Sequence, residues 1–209
     1  MSTCYELLKI LAAKVTDELV VTSIGRVRLD WERLTEPRDG NLYEIYMAGA
    51  TSVALGMAVS LPHRRVIALD GDGAILMDLG ILLAVGQQNP SNLIVIIGDN
   101  RAYEKAGCVP TFTADKKVGL EAIARGAGIP NVWTVTEPGE FQKVIDEAFQ
   151  ASGASFIDLK VETEPWVSHP VTLDGTENKY RFIRYVEKTE NLEILKPSGM
   201  RSPAKVKWS

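Results

Sequence analysis

Short apolar runs alternate along the chain with longer segments whose apolar residues recur at helical spacing. The short runs are rich in Val, Ile and Leu, which is typical of strands covered on both faces. The pattern predicts strands at 18–23, 65–70, 92–99, 131–135 and 155–162. It predicts helices at 1–15, 50–61, 74–88, 119–128, 138–152 and near 176–187. This alternation favours an α/β fold, a three-layer sandwich with a central, mostly parallel sheet.

The composition fits one globular domain followed by a tail. The chain has 209 residues, of which 45% are hydrophobic, and this is enough for one sizeable core. From about residue 162 the regular alternation stops, apart from the last predicted helix. We expect the domain to cover residues 1–187 and a basic tail containing Pro and Ser to cover residues 188–209.

Charge and cysteine content exclude several classes of protein. The net charge is −4 and no long Lys/Arg stripe occurs, which argues against nucleic-acid binding. No apolar stretch reaches the roughly 18 to 20 residues that span a bilayer, and charged residues interrupt the first 15 positions, unlike a signal peptide. Two cysteines, Cys4 and Cys108, are too few for a disulfide framework or an iron–sulfur cluster. We therefore expect a cytoplasmic protein that binds no membrane.

Polar residues follow two predicted strands at the point where each strand ends. Gly71-Asp72-Gly73 follows the strand at 65–70, and Asp99-Asn100 ends the next strand after a gap of 25 residues. One helix and one strand fill such a gap and return the chain to the same edge of a parallel sheet, where ligands bind. Carboxylate and amide oxygens are suitable ligands for Mg²⁺, and phosphate oxygens and water would complete its coordination shell. Alone, Gly-Asp-Gly is also a common turn.

The two sites together give a recognisable motif, "GDG–AILMDLGILLAVGQQNPSNLIVIIG–DN". It resembles the signature of thiamine diphosphate enzymes. The flanking stretches "YMAGATSVALGMAVS" and "DNRAYEKAGCVPTF" are similar to the β-type chains of sulfopyruvate and phosphonopyruvate decarboxylases. "VVTSIGRVRLDWERL" and "NKYRFIRYVE" agree more loosely, so the resemblance covers roughly residues 5–187.

The resemblance implies thiamine diphosphate and Mg²⁺ as cofactors. Asp72 and Asn100 would bind the metal through their side chains, and Ala102 through its carbonyl. The other cofactor-binding residues that it implies are Gly25, Arg26, Met47, Ala48, Gly71, Gly73, Ala74 and Tyr103. Among these, Gly71, Gly73 and Ala74 would cradle the diphosphate, Met47 would support the bent cofactor, and Gly25 and Arg26 would lie in a loop near the pyrimidine.

The chain departs from the family pattern twice. It has Ile45-Tyr46-Met47-Ala48 where relatives have Gly-Ser-Met-Gly, and Cys108-Val109-Pro110-Thr111 where they have Gly-Gln-Pro-Thr. Both departures concern substrate choice more than cofactor binding.

Half of the expected active site is missing from the sequence. In the family, a glutamate from a second α/β domain activates the pyrimidine ring. Only about 60 residues precede the first motif strand, too few for such a domain. The resemblance therefore implies a separate pyrimidine-domain (α-type) subunit in a hetero-oligomer, α2β2 or larger, that decarboxylates a small anionic 2-oxo acid. The catalytic glutamate is expected on that partner.

Further polar residues have open roles. Arg26, Arg28, Arg101 and Lys105 could hold a sulfonate, phosphonate or carboxylate, or could be solvated surface charges. Cys108 could line the pocket or be an inert small side chain, and Tyr103 and Glu104 could pack near the diphosphate. His63 fits a surface turn and His169 lies in the irregular region, so a catalytic triad or zinc site is disfavoured.

Several functional alternatives remain. The chain could belong to an acetolactate synthase-like carboligase, or it could be a non-catalytic cofactor-binding subunit. A 2-oxoacid:ferredoxin oxidoreductase is less favoured because a cysteine cluster is lacking, and a Rossmann-like nucleotide binder is disfavoured because no Gly-x-Gly-x-x-Gly follows a strand.

Overall fold

The computed structural model describes residues 1–35, 38–115, 117–166 and 173–195. The strands in these ranges are β1 (Leu19–Ser23), β2 (Asn41–Ile45), β3 (Val66–Gly71), β4 (Leu93–Asp99), β5 (Ala102–Tyr103), β6 (Val109–Pro110), β7 (Asn131–Val135) and β8 (Ser155–Lys160). The α-helices are α1 (Cys4–Lys14), α2 (Arg26–Thr35), α3 (Ala50–Ser60), α4 (Asp72–Ile75), α5 (Gly80–Gln88), α6 (Leu120–Gly126), α7 (Pro138–Gln150) and α8 (Gly175–Glu190).

Six strands form one sheet in the order β2-β1-β3-β4-β8-β7, and every neighbouring pair is parallel. Strands β5 and β6 form a separate antiparallel pair. The chain order reverses beside β1, since β2 lies on one side of it and β3 on the other. Open sheets of this kind bind ligands at the carboxyl ends of the strands near such a reversal.

Helices cover both faces of the sheet. One hydrophobic cluster joins the sheet to α3, α5, α6 and α8, and a second joins it to α1, α2 and α7. The buried aromatic side chains Trp31 and Phe141 belong to the second cluster. The prediction of a three-layer α/β fold with a parallel sheet is confirmed.

Local sequence signals set the ends of several helices. Thr3 and Glu6 form a reciprocal capping box at α1, and the Asp174 side chain accepts two backbone N–H bonds at the start of α8. Pro138 occupies the first turn of α7, where its missing N–H costs nothing. Asn89 adopts a left-handed conformation that ends α5.

Helix α2 and the strands β2, β5 and β6 were not predicted. Helix α2 contains buried Arg28, Asp30 and Glu32, so its polar composition hides that it packs against α1. Strand β2 contains the charged residue Glu44, which has a positive φ and interrupts the apolar pattern.

The single helix predicted at 74–88 was wrong. Helix α4 ends at Ile75, and the N–H groups of Met77 and Asp78 bond three residues back before α5 begins at Gly80. The reason is geometric, since α4 stays at the ends of β3 and β4, whereas α5 packs against α3 and α6.

The edge strand β2 is covered by one side chain from α8. The Asn178 amide nitrogen donates to the carbonyl of Asn41 at 2.9 Å, and its oxygen accepts the N–H of Tyr43 at 2.8 Å. Asn178 therefore bonds to the strand edge as a neighbouring strand would.

Across the four described ranges, no helix combines the length and apolar character needed to cross a membrane.

Candidate functional site

A cavity of about 270 Å³ lies at the carboxyl ends of β1, β3 and β4. It is lined by residues from several chain segments. Ten predicted cofactor-binding residues line it: Gly25, Arg26, Met47, Gly71, Asp72, Gly73, Ala74, Asn100, Ala102 and Tyr103. Ala48, the remaining one, does not line the cavity. It has a positive φ of 70°.

The adjacency of the two motif segments follows from the sheet. Strands β3 and β4 are parallel neighbours, with Gly71 opposite Gly98 in the register. Asp72 and Asn100 follow these two glycines by one and two residues, so both reach the same cavity. The spacing of the two motif segments in the sequence predicts the same arrangement.

Asp72 is a buried carboxylate held by two threonines. The hydroxyl of Thr111 donates to its Oδ2 at 2.5 Å, and that of Thr113 donates to the same oxygen at 3.0 Å. Burial raises the pKa of Asp72 to about 6; the hydrogen bond from Thr111 opposes this shift and the charge of Asp99 adds to it. A carboxylate in this setting gains from a nearby cation.

Behind Asp72 lies a second buried group of charges. Thr113 also donates to Oδ1 of Asp99 at 2.8 Å. The ammonium of Lys160 lies 2.5 Å from Oδ2 of Asp99 and 2.7 Å from Oδ2 of Asp158. One lysine therefore lies between two acidic side chains that are fully buried, and Thr113 links this cluster to Asp72.

The orientation of the Asn100 amide is fixed by its neighbours. Its Nδ2 donates to Oε1 of Glu104 at 2.7 Å, and its Oδ1 accepts the N–H of Ala102 at 3.0 Å. The hydroxyl of Thr163 donates to the Asn100 carbonyl at 2.6 Å. These contacts hold the loop after β4 in place and leave the second lone pair of Oδ1 for another partner.

The glycines of the motif provide space. A Cβ atom added to Gly71 would meet no atom within 4 Å, whereas one added to Gly73 would overlap the ring of Tyr103. Helix α4 has only four residues, so the long helix predicted at 74–88 does not begin at this point. Backbone amides of a single turn remain as donors to an anion.

The donor set fits a magnesium ion. Asp72, Asn100 and Ala102 would offer a carboxylate, an amide and a carbonyl oxygen, and hard cations prefer such ligands. Within the described ranges, no cluster of three His, Cys, Asp or Glu residues could hold a metal. A cation here would thus depend on further oxygens, such as those of a diphosphate.

Other candidates from the sequence are placed elsewhere. Cys108 is exposed at a positive φ of 59°, so neither a pocket-lining nor a packed role is observed. His63 lies on the surface, with Nε2 2.6 Å from Oε2 of Glu190, as predicted. His169 falls outside the described residues.

Several residues of the site were missed by sequence reasoning. Thr113 and Lys160 bond to buried carboxylates, and Trp166 lines the cavity. The available signal was the alternation in Thr111-Phe112-Thr113, in which both threonines are buried and the Phe112 between them is exposed.

Comparison with known proteins defines the class. The family model for the C-terminal TPP binding domain of thiamine pyrophosphate enzymes matches residues 39–159. The chain therefore belongs to this family, and the resemblance found in the sequence is confirmed.

Individual relatives narrow the comparison. The chain is 31% identical to the sulfopyruvate decarboxylase subunit beta of Methanococcus maripaludis, over 89% of this chain and 98% of that protein. It is 36% identical to the subunit of the same name from Methanothermobacter thermautotrophicus, over 81% and 88%. It is also 31% identical to phosphonopyruvate decarboxylase of Streptomyces viridochromogenes, over 80% of this chain but only 40% of that protein.

Proposed function

We propose that this chain is the diphosphate-binding subunit of a decarboxylase that depends on thiamine diphosphate and Mg²⁺. Its substrate is a small anionic 2-oxo acid of the sulfopyruvate or phosphonopyruvate kind. The observation that carries the proposal is the shared cavity at the ends of β3 and β4, where Asp72 lies beside Asn100 and Ala102.

Each side of the cavity has a distinct task in this proposal. Asp72, Asn100 and the Ala102 carbonyl hold the magnesium ion, and the threonines behind Asp72 keep its carboxylate aimed at the cavity. Gly71, Gly73 and the following amides receive the diphosphate. The bound cofactor supplies the electron sink that allows a 2-oxo acid to lose CO₂.

The cavity wall from β1 orients the rest of the ligand. Gly25 has a positive φ of 109°, which turns the chain from β1 into α2 at the cavity. Met47 adds an apolar side chain to this wall and would support the cofactor and exclude water from the reacting end.

A second subunit completes the active site. The relatives that match over nearly their whole length are named beta subunits, whereas this chain spans two-fifths of the phosphonopyruvate decarboxylase. The rings of Tyr46 and Phe112 are exposed, with 71% and 74% of their surface accessible. Tyr46 precedes the cavity residue Met47 in sequence, and Phe112 follows Thr111, which donates a hydrogen bond to Asp72. We assign these rings to the contact with a pyrimidine-domain subunit, in an α2β2 or larger assembly.

The test measures thiamine diphosphate binding with and without Mg²⁺. The wild-type chain is expected to show a magnesium-dependent rise in melting temperature, and Asp72→Asn to lose it. Asp17→Asn is the matched control, because Asp17 is exposed and precedes β1 at the opposite edge of the sheet. An unchanged response in Asp72→Asn would refute the metal assignment.

Reaction products distinguish the two enzymatic alternatives. With the partner present, a free aldehyde supports decarboxylation, whereas a carbon–carbon-joined product supports a carboligase. Cofactor binding without either product supports a non-catalytic subunit.

A further inference from the structure

The structure sorts the four cationic side chains that the sequence placed near the site. Arg28 is buried in α2, with Nη2 2.9 Å from Oε2 of Glu32. Arg101 donates from Nη2 to the carbonyl of Val161 at 3.2 Å. Neither arginine lines the cavity, so neither is placed to meet a ligand there.

Arg26 lines the cavity, but its guanidinium is already engaged. Its Nε donates to Oε2 of Glu104 at 2.8 Å, and its Nη2 donates to the carbonyl of Pro165 at 3.0 Å. Glu104 is itself buried and bonds to Asn100. Arg26 therefore neutralises an internal carboxylate and helps to hold the loop after β4.

Lys105 is the remaining cation of the four, and it also lines the cavity. Its ammonium lies 4.7 Å from the centroid of the Trp166 ring, a cation–π contact. Within the described part of the chain it has no acidic partner. The indole positions the ammonium without neutralising its charge.

We propose that Lys105 binds the second acidic group of the substrate, so that the site favours 2-oxo acids with a sulfonate or phosphonate over pyruvate. This inference rests on the proposed function and names the part of this chain that selects the substrate. An ammonium that is free of internal carboxylates can form a charge-assisted hydrogen bond to such a group. Pyruvate lacks that group and gains nothing from it.

The kinetic test uses the complex with the pyrimidine-domain subunit. We compare kcat/KM for sulfopyruvate or phosphonopyruvate with that for pyruvate. Lys105→Gln is expected to lower this ratio by roughly 10- to 100-fold, mainly through KM, and Lys105→Arg to restore most of it. Lys117→Gln is the control, because Lys117 is 86% exposed and pairs with Asp115. An unchanged ratio of the two kcat/KM values overturns the inference, even if both values fall equally.

A binding measurement separates this inference from the proposed function. The chain loaded with thiamine diphosphate and Mg²⁺ is titrated with 3-phosphonopropionate, an unreactive dianion, and tryptophan fluorescence is recorded, with Trp166→Phe identifying the reporting ring. Saturation that Lys105→Gln abolishes supports anion recognition even if the complex fails to decarboxylate, which would refute the proposed function alone. Saturation that is identical in the wild type and Lys105→Gln overturns the inference.

Discussion

Replacing Asp158 with asparagine should stabilise the protein at neutral and alkaline pH. Asp158 lies in β8 with its side chain fully buried, and its Oδ1 has no hydrogen-bond partner within the described ranges. Lys160 in the same strand, Asp99 at the end of β4 and Glu121 in α6 are the charged groups that face it. Asparagine keeps the shape of the protonated acid and removes the charge.

The size of the expected stability gain follows from the pKa of Asp158. Burial raises the pKa of Asp158 from 3.8 to about 7, and the hydrogen bond from Lys160 opposes the shift only in part. The folded state therefore binds this proton more tightly than the unfolded state does. Ionisation then lowers the free energy of unfolding as pH rises from about 4 to about 7, by about 4 kcal/mol in total at 1.36 kcal/mol per pH unit.

Urea unfolding at pH 5, 6, 7 and 8 measures the effect. The stability advantage of Asp158→Asn over the wild type should grow by about 3 kcal/mol between pH 5 and pH 7 and then stay level. Asp17→Asn, an exposed position, should show no such growth. A pH-independent difference for Asp158→Asn would mean that Lys160 keeps Asp158 ionised throughout this range, and the reasoning would fail.

Three further predictions concern metal affinity, assembly and the sheet edge. Thr113→Val removes a hydroxyl that bonds two buried carboxylates, so the affinity for Mg²⁺ at a fixed thiamine diphosphate concentration should fall about 10- to 100-fold. An unchanged magnesium titration would contradict this role of Thr113. Phe112→Glu should keep the melting temperature of the wild type but no longer co-purify with the pyrimidine-domain subunit. The control variant Val59→Glu, at a 50% exposed position on α3, should still co-purify. Equal co-purification of both variants refutes the assigned contact. Asn178→Leu should lower the free energy of unfolding by about 2–4 kcal/mol, because two backbone groups of β2 lose their partner, and urea unfolding with no change would disprove this.

The central strands and the loops that carry Asp72 and Asn100 were predictable because their signals are local and strong. Strands β3 and β4 are continuous apolar runs, and each of their predicted ends lies within one residue of the observed end. The meeting of Asp72 and Asn100 followed from the length of the segment between them, since a parallel sheet returns each strand to the same edge.

Elements whose burial depends on charge pairing could not be predicted in this way. Helix α2 hides an ion pair between Arg28 and Glu32, and in sequence these residues look like a solvated surface. The break between α4 and α5 lies inside an apolar stretch that has no turn signal except Asp78 and Gly80. In both cases tertiary packing outweighs the local pattern.

The residues that support the site were hidden for a different reason. Asp158 and Lys160 come from a strand about 60 positions after Asp99, and only the pairing of β4 with β8 brings them together. Sequence spacing constrains neighbours across one helix, but it gives no register across the separate excursion to β7. Lys105 could be distinguished from Arg26, Arg28 and Arg101 only once the partners of these arginines were known.

The edge of β2 stays exposed during synthesis until the Asn178 amide can bond to it. Helix α8 follows all eight strands of the described ranges in sequence, so these strands are synthesised before Asn178, which covers the edge of β2. During that interval the edge can recruit a strand from another molecule. Truncation before residue 175 would make this opening permanent, and the expected consequence is self-association of chains whose cofactor cavity is otherwise intact.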